Sequence, residues 1–287
     1  MPNRSCPSGS QIKWQFSSDN GAYGIVTGGD SRYEWMLKWW WNNYRQHNNY
    51  PVYFADFGMS RAMREWCAQH GRIIPLTFKV DRNWFKKPLA ILGTPFKRVF
   101  WIDLDCEIRG NLRPMFDFAN NKIAVTLDPH NPWVKTKRVI ATGVVGVTHG
   151  EPIMIDWAKR CMANTGLRGD QEVLNKILND NKLWGRVEVM PPEWQWLRID
   201  GDSPRAIIMH WTGSRGNSYI RRLLGMPPLA RNIKTTTGAG RSKRDLRSMV
   251  GQRKRTALAS VKRGLKKRNK QRAVKQIPVS RVKRKGR

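Results

Sequence analysis

The sequence lacks several features that would place it in common protein classes. It contains no apolar stretch approaching the ~20 residues needed to cross a bilayer, and no N-terminal apolar run typical of a signal peptide. Its four cysteines, at positions 6, 67, 106 and 161, have no C-x-x-C spacing, which argues against a structural zinc site and a disulfide framework. We therefore expect a cytoplasmic protein in a reducing compartment. The G-x-G-x-x-G fingerprint of dinucleotide-binding domains is also absent.

Acidic residues are scarce relative to basic ones. The 287 residues include 53 Lys and Arg against 21 Asp and Glu, a net charge of +32. From Thr235 to the end there are 20 Lys and Arg and a single acid, Asp245, so this segment alone carries +19. A charge of this size attracts polyanions, because it is far larger than folding requires.

Composition divides the chain into three parts. Residues 1–21 are polar and rich in Ser and Gly, and we expect a flexible lead-in. Residues 22–230 are long enough for one folded domain. Residues 231–287 are expected to be a basic, flexible tail that binds nucleic acid. Two alternatives are a solubilising tail, which would not require +19, and a lipid-binding segment, which is disfavoured because no Trp or Phe follows residue 240.

Within 22–230, short apolar runs alternate with amphipathic stretches. Strands are predicted at 22–27, 51–56, 72–78, 99–102, 123–128, 141–147, 187–191 and 206–210, and helices at 33–47, 60–70, 84–92, 151–162 and from 169. The β-α-β-α-β rhythm of the first half predicts a parallel sheet with helices on both faces.

Two carboxylates follow the predicted buried strand 99–102. Asp103 and Asp105 are separated by one residue, so in an extended strand both would point the same way. Like charges this close favour a bound cation, and hard carboxylate oxygens suit Mg²⁺ or Mn²⁺, which in turn suit a diphosphate. The simpler alternative is a polar strand end that enters a turn finished by Gly110.

The segment after these carboxylates, Gly110-Asn111-Leu112, extends the pattern. A strand ending in Asp-x-Asp and followed by Gly-Asp/Asn-Leu resembles the GT-A-fold glycosyltransferases, in particular the retaining branch with glycogenin and the bacterial lipopolysaccharide galactosyltransferases. The resemblance covers roughly residues 22–219. It implies an α/β, Rossmann-like GT-A fold, with a mixed, mostly parallel sheet flanked by helices. It also implies that Asp103 and Asp105 bind a divalent metal, Mn²⁺ or Mg²⁺, carrying the diphosphate of a nucleotide sugar.

The resemblance assigns further donor contacts near the first strand and before the Asp-x-Asp strand. Thr27, Gly28 and Asp30 stand where the family holds the uracil and ribose of a UDP-sugar, although an ordinary strand-to-helix turn explains them equally well. Lys86 and Lys87 stand where the family places a basic residue near the sugar nucleotide. For at least one of these lysines, a solvated surface position is the alternative.

Two later segments resemble the donor-sugar pocket of the same family. Thr142 and Gly143 occupy the place of its Asn-Ala-Gly strand, with the Asn replaced. Asp170 and Gln171 open a predicted helix, where an Asp is often simply a cap. The resemblance implies that Asp170 hydrogen-bonds sugar hydroxyls and that Gln171 faces the sugar opposite the leaving phosphate.

The last predicted strand ends in His210, and Arg215 follows five residues later. A lone His is usually structural, but this segment is similar to the family's His-x-x-Gly-x-Lys closure. The similarity implies that His210 completes the metal shell and that Arg215, in place of the Lys, contacts the diphosphate. Arg keeps the charge and donates to phosphate through two N–H groups.

The resemblance implies a metal-dependent, retaining glycosyltransferase, of hexosyl or pentosyl type, that uses a UDP-sugar. Together with the basic tail, it favours a nucleic-acid acceptor, such as a hydroxylated modified base in bacteriophage DNA. An extruded base would stack on Trp133, Trp194 or Trp196. Two alternatives remain: the same chemistry on lipopolysaccharide or another cell-surface glycan, and a non-catalytic nucleic-acid-binding protein on this fold.

Overall fold

The computed structural model describes residues 21–131, 138–163 and 166–227. The predicted tail, all but the last residue of the predicted lead-in, and Trp133 lie outside the described residues, so the proposed domain boundaries stay predictions. None of the helices in the described ranges is long and apolar enough to cross a membrane.

The described elements include a strand or helix at each predicted position, together with two short strands and a final helix that were not predicted. The strands are β1 (Tyr23–Gly29), β2 (Val52–Asp56), β3 (Arg72–Pro75), β4 (Arg98–Ile102), β5 (Cys106–Ile108), β6 (Ile123–Leu127), β7 (Ile140–Thr148), β8 (Val187–Val189), β9 (Trp196–Leu197) and β10 (Ile208–His210). The helices are α1 (Leu37–His47), α2 (Arg61–His70), α3 (Lys87–Leu92), α4 (Pro152–Met162), α5 (Asp170–Asp180) and α6 (Gly213–Leu223).

Seven strands form the central sheet in the order β3-β2-β1-β4-β7-β6-β8. Strands β1 to β4 are parallel, β7 runs antiparallel to both of its neighbours, and β8 is parallel to β6. This arrangement confirms the prediction of a mixed, mostly parallel sheet. The parallel strands end together at one edge, where open α/β sheets bind their ligands.

Both faces of the sheet are buried. Consecutive residues of a strand point to opposite faces, so each strand contributes side chains to two cores. On β4, Phe100 packs in a core that includes Trp40 of α1, whereas Trp101 packs in a second core that includes Trp157 of α4. Large aromatic side chains therefore fix helices against each face of the sheet.

The turn that carries the two carboxylates differs from the prediction. Strand β4 ends at Ile102, and the chain turns at once, with the Cys106 amide donating to the Asp103 carbonyl at 3.1 Å. The expectation that strand alternation aligns Asp103 with Asp105 is therefore wrong. Both residues nevertheless line the same cleft, because the turn closes over the carboxyl end of β4.

A small second sheet, in the order β5-β10-β9, was not predicted. Strand β10 runs antiparallel to β5, with His210 opposite Cys106, and the Trp211 amide donates to the Asp105 carbonyl at 2.8 Å. This pairing brings the end of β10 beside the turn after β4, and so joins two segments about a hundred residues apart in sequence.

Candidate functional site

A cleft of about 470 Å³ opens at the carboxyl ends of β1 and β4, a volume in the usual range of ligand pockets. Its walls come from the loop after β1, the turn after β4, strand β7, and the first turns of α5 and α6. Of the predicted site residues, it brings together Gly28, Asp30, Lys87, Asp103, Asp105, Thr142, Gly143, Asp170, Gln171 and His210.

Lys87 joins three walls of this cleft. Its Nζ lies 3.1 Å from Asp103 Oδ1 and 3.1 Å from Asp170 Oδ2, and it donates to the Thr142 carbonyl at 2.8 Å. The side chain is buried, and burial alone would lower the pKa of Lys87, but the two carboxylates outweigh burial and raise it. The ammonium is therefore charged, and it neutralises acidic groups that would otherwise repel each other.

Asp103 is held in place by two donors. Trp101 Nε1 donates to its Oδ1, and Lys87 contacts both carboxylate oxygens. Burial and the nearby negative charge of Asp105 keep the pKa of Asp103 above its ordinary value, although Lys87 opposes this shift. A further positive charge in the cleft would therefore stabilise the ionised form of Asp103.

Asp105 contacts His210 across the small sheet. His210 Nε2 lies 3.2 Å from Asp105 Oδ1, and both side chains face the cleft. Burial disfavours the charged form of Asp105, but the neighbouring imidazole outweighs it, so the pKa of this carboxyl lies below its ordinary value. The pair thus presents a carboxylate to the cleft at neutral pH.

These groups fit a divalent cation by their chemistry. In the described ranges, the group of three whose ligand atoms lie within 4.8 Å of one another is Asp105, Cys106 and His210. Burial holds the pKa of the Cys106 thiol well above its usual value, so the thiol carries its proton in the ion-free protein. A thiolate is in addition a soft ligand, which suits Mn²⁺ and Mg²⁺ less well than a carboxylate or an imidazole does. Asp105 and His210 remain as the close pair. Asp103 faces the same cleft but is not a member of that group, so its role as a ligand stays a prediction.

Asp170 begins α5, yet it is not a helix cap. Gly169 occupies the N-cap position and no side chain caps the helix. The Asp170 carboxylate instead faces Lys87, and its backbone carbonyl accepts from Trp157 Nε1 at 2.9 Å. The capping alternative is therefore wrong, and Asp170 stands as part of the charged cluster in the cleft.

Gln171 is held at both ends of its amide. Its Nε2 donates to Asp128 Oδ2 at 2.9 Å, and its Oε1 accepts from the Thr142 amide at 3.4 Å. Asp128 immediately follows β6 and was not predicted to have a role. A carboxylate at a strand end near the site was the signal that would have found it. The contact fixes Gln171 at the wall of the cleft.

Residues of β1 serve mainly to build the wall beneath the cleft. Thr27 is fully buried, with no hydrogen-bond partner in the described part of the chain for its hydroxyl, and it does not line the cleft. A Cβ at Gly28 would lie 2.2 Å from the Ala55 carbonyl, so β2 leaves room only for glycine there. Asp30 accepts from Arg32 and from Asn83 Nδ2, the latter at 2.7 Å. These bonds support the ordinary-turn alternative, and the nucleotide contacts stay predictions.

Lys86 and Lys87 are both buried, with 1% and 3% of their surface exposed, so the expectation of a solvated lysine is wrong for each. The Lys86 ammonium lies 5.8 Å from the Phe57 ring centre and 5.0 Å from that of Phe78, and burial lowers its pKa. It does not line the cleft. A contact between Lys86 and the sugar nucleotide stays a prediction.

Arg215 and two of the predicted stacking residues lie away from the cleft walls. Arg215 is exposed in the first turn of α6, whereas Thr212, Gly213 and Asn217 line the cleft. Trp194 is 6% exposed and packs edge-on against Phe118, so the expectation that it stacks an extruded base is wrong. Trp196 is half-buried and has the Arg205 guanidinium 5.5 Å from its ring centre.

Gly143 is required by the packing of His210. A Cβ at this position would lie 2.5 Å from His210 Cε1 and 2.7 Å from Gln195 Nε2. Gly143→Ala should therefore lower the free energy of unfolding by about 1–3 kcal/mol, because two buried side chains must move. Gly185→Ala is a matched control, since a Cβ there meets nothing within 4 Å. Equal melting temperatures for the two variants would contradict the expected crowding.

Comparison with known proteins identifies the fold. No protein-family model matches the chain, and no curated protein matches its sequence. Among solved structures, the chain is similar to the galactosyltransferase LgtC in complex with donor and acceptor sugar analogs, with 15% identity over 66% of this chain and 87% of that chain, at a TM-score of 0.50. It is also similar to the glycosyltransferase GlyE of Streptococcus pneumoniae TIGR4, with 16% identity over 67% of this chain and a TM-score of 0.53. A third similar structure is the bifunctional glycosyltransferase WbbM, with 14% identity over 74% of this chain and a TM-score of 0.53.

The match to GlyE covers 55% of that chain and the match to WbbM 51%, so this protein spans about half the length of each. At such identities the likeness concerns the fold. The GT-A glycosyltransferase fold implied by the sequence resemblance is confirmed.

Proposed function

We propose that this protein is a metal-dependent, retaining glycosyltransferase that takes its sugar from a nucleotide sugar, specifically a UDP-sugar. The observation that carries the proposal is the buried Lys87, which links Asp103 to Asp170 beside the Asp105–His210 pair. A cleft that brings this ammonium, these carboxylates and an imidazole together at a sheet edge suits a charged, hydroxyl-rich ligand.

In this proposal Asp103, Asp105 and His210 would hold Mn²⁺ or Mg²⁺. The bound ion would neutralise charge on the departing nucleoside diphosphate. Arg215, at the start of α6, supports the diphosphate by charge. Lys87 keeps Asp103 and Asp170 in place and prevents their mutual repulsion.

Asp170 and Gln171 are assigned to the transferring sugar. The Asp170 carboxylate pairs with Lys87, and the Gln171 amide donates to Asp128. Neither Asp170 nor Gln171 is therefore an unpaired group that could act as a covalent nucleophile. We therefore favour a direct displacement in which the acceptor hydroxyl attacks the anomeric carbon from the same face that the phosphate leaves. The bond from the anomeric carbon to the phosphate oxygen breaks and the bond to the acceptor oxygen forms, while the acceptor hydroxyl proton passes to the departing phosphate.

The proposed acceptor is a nucleic acid, specifically a hydroxyl on a modified base of phage DNA. The support is electrostatic, since the segment from Thr235 contributes +19 to a chain whose net charge is +32. A glycan acceptor is the second candidate, because the similar structure of LgtC was solved with an acceptor sugar analog.

Asp105→Asn should lower the rate of UDP release from UDP-sugars with Mn²⁺ by about 10²–10³-fold, because it removes a charge that the proposal places on the ion. The measurement is UDP release by the full chain, with and without DNA that contains hydroxymethylated bases. Asp156→Asn is the control, since Asp156 pairs with Arg160 on the surface of α4.

Three outcomes of this assay are informative. Release that survives unchanged in Asp105→Asn would remove the metal-dependent mechanism. Labelled sugar that enters glycan or lipid but never DNA would replace the first acceptor with the second. Absence of release with every donor, despite tight DNA binding, would favour the non-catalytic alternative.

A further inference from the structure

Gln195 is a buried polar side chain next to the site, and its residue type gave no signal in the sequence. It is 2% exposed and ends the short turn Pro192–Gln195 just before β9. Its amide contacts Thr126 of β6, Val144 of β7 and His210 of β10. A single side chain thus ties the large sheet to the small one beneath the cleft.

The directions of these hydrogen bonds are fixed by the backbone. The Val144 amide donates to Gln195 Oε1 at 2.9 Å, and a backbone N–H can only donate. The Thr126 hydroxyl donates to the same oxygen at 3.2 Å. The NH₂ group of Gln195 therefore faces His210 and donates to its Nδ1 at 3.0 Å.

This donor determines where the imidazole carries its proton. Because Nδ1 accepts a hydrogen bond, the proton of neutral His210 is on Nε2, which faces Asp105 Oδ1 at 3.2 Å. A histidine that binds a metal through Nε2 needs a lone pair there and usually donates its Nδ1–H to a carboxylate or carbonyl. Gln195 offers the opposite partner, an N–H donor.

We propose that Gln195 is a positioning residue that holds His210 as the Nε2–H tautomer in the ion-free protein, and thereby weakens the binding of a divalent ion by His210. The inference rests on the proposed function, which assigns His210 to the ion. The amide cannot simply turn over, because its NH₂ group would then face the Val144 N–H and leave a buried donor unpaired.

One consequence concerns the order of binding. The free protein holds the ion weakly, and an ion that arrives with a nucleoside diphosphate gains ligands from the phosphate oxygens. Gln195 therefore favours uptake of the ion together with the donor over a permanently bound ion.

The tautomer can be measured directly in the full wild-type chain. Long-range ¹H–¹⁵N spectra of protein labelled with ¹⁵N-histidine, without divalent ions and at pH 8, separate protonated from unprotonated ring nitrogens. The sequence has five histidines, and the signal missing from His210→Asn identifies His210. We expect a proton on Nε2 and none on Nδ1. A proton on Nδ1 would overturn the inference without any Gln195 variant.

Gln195→Glu should favour the Nδ1–H tautomer of His210. A carboxylate can accept from the Val144 amide, from the Thr126 hydroxyl and from an Nδ1–H of His210. We expect the His210 proton to move to Nδ1 and the affinity for Mn²⁺ alone to rise about 10–100-fold, measured from the EPR signal of free Mn²⁺. The same substitution in a His210→Asn background controls for the added negative charge. A gain of equal size in both backgrounds would overturn the inference.

These readouts need neither donor nor transfer. If UDP-sugars are never turned over but the tautomer and Mn²⁺ affinity change as expected, the proposed function fails and the role of Gln195 stands. If transfer occurs but Gln195→Glu leaves the tautomer unchanged, the role of Gln195 fails alone. Should Gln195→Glu not fold, the wild-type spectrum still decides the matter.

Discussion

Lys87→Met should destabilise the protein by about 3–5 kcal/mol and abolish detectable sugar transfer, because it removes the cation from a buried charge cluster. Nζ lies 3.1 Å from a carboxylate oxygen of Asp103 and 3.1 Å from one of Asp170. Without the ammonium, the two carboxylates repel each other and the Thr142 carbonyl loses its donor. Urea unfolding and UDP release from UDP-sugars with Mn²⁺ measure the two effects.

Lys86→Met is a closely matched control, because it makes the same change at the preceding buried residue. Lys86 faces the rings of Phe57 and Phe78 and has no ion-pair partner in the described part of the chain. Burial already disfavours its charge, so replacement by an apolar side chain should leave stability unchanged or raise it. Equal losses of stability in both variants would show that burial, and not the link between the carboxylates, determines the effect.

The sequence predicted most of the large sheet for a simple reason. Its strands are short apolar runs between turn residues, and alternation with amphipathic helices determines a mostly parallel arrangement. Strand β4 is the clearest case, since Val99, Phe100, Trp101 and Ile102 are all apolar and all buried. The carboxylates that follow such a strand were therefore expected at the ligand-binding edge.

The interior of the site was predicted less well, because it depends on long-range pairing. Strands β5 and β10 have three residues each, and neither one's apolar pattern identifies the other as its partner. Their pairing, and not strand alternation, brings Asp105 to His210. Gln195 and Asp128 act through hydrogen bonds to residues 15 and 43 positions away, which a local pattern does not reveal.

The burial of Lys87 was also not predicted, because it depends on charged partners that are distant in the sequence. A sequence suggests that a Lys is solvated, because burial of an ammonium is unfavourable unless it is paired. Lys87 is buried since its partners Asp103 and Asp170 come from two other segments of the chain. Only the folded arrangement shows that these two carboxylates meet on one ammonium.

Removal of residues 235–287 should lower the affinity for duplex DNA by several orders of magnitude, because it takes away +19 of a net charge of +32. A protein that neutralises 6–10 phosphates typically loses about 10³–10⁵ in affinity between 50 and 200 mM salt. The full chain should show a salt dependence of this size in fluorescence anisotropy. The shortened chain should bind weakly throughout and show a much smaller slope.

Activity measurements on the shortened chain distinguish a tail that only binds the acceptor from one that takes part in the reaction. If the tail acts by attraction to the polyanion, its removal should lower kcat/KM for DNA but leave UDP release with a free nucleoside acceptor unchanged, since the described walls of the cleft lie within residues 28–217. Loss of both activities would contradict a purely electrostatic role. DNA affinity that ignores salt in the full chain would contradict the nucleic-acid role itself, because release of counterions from phosphates is the source of such binding.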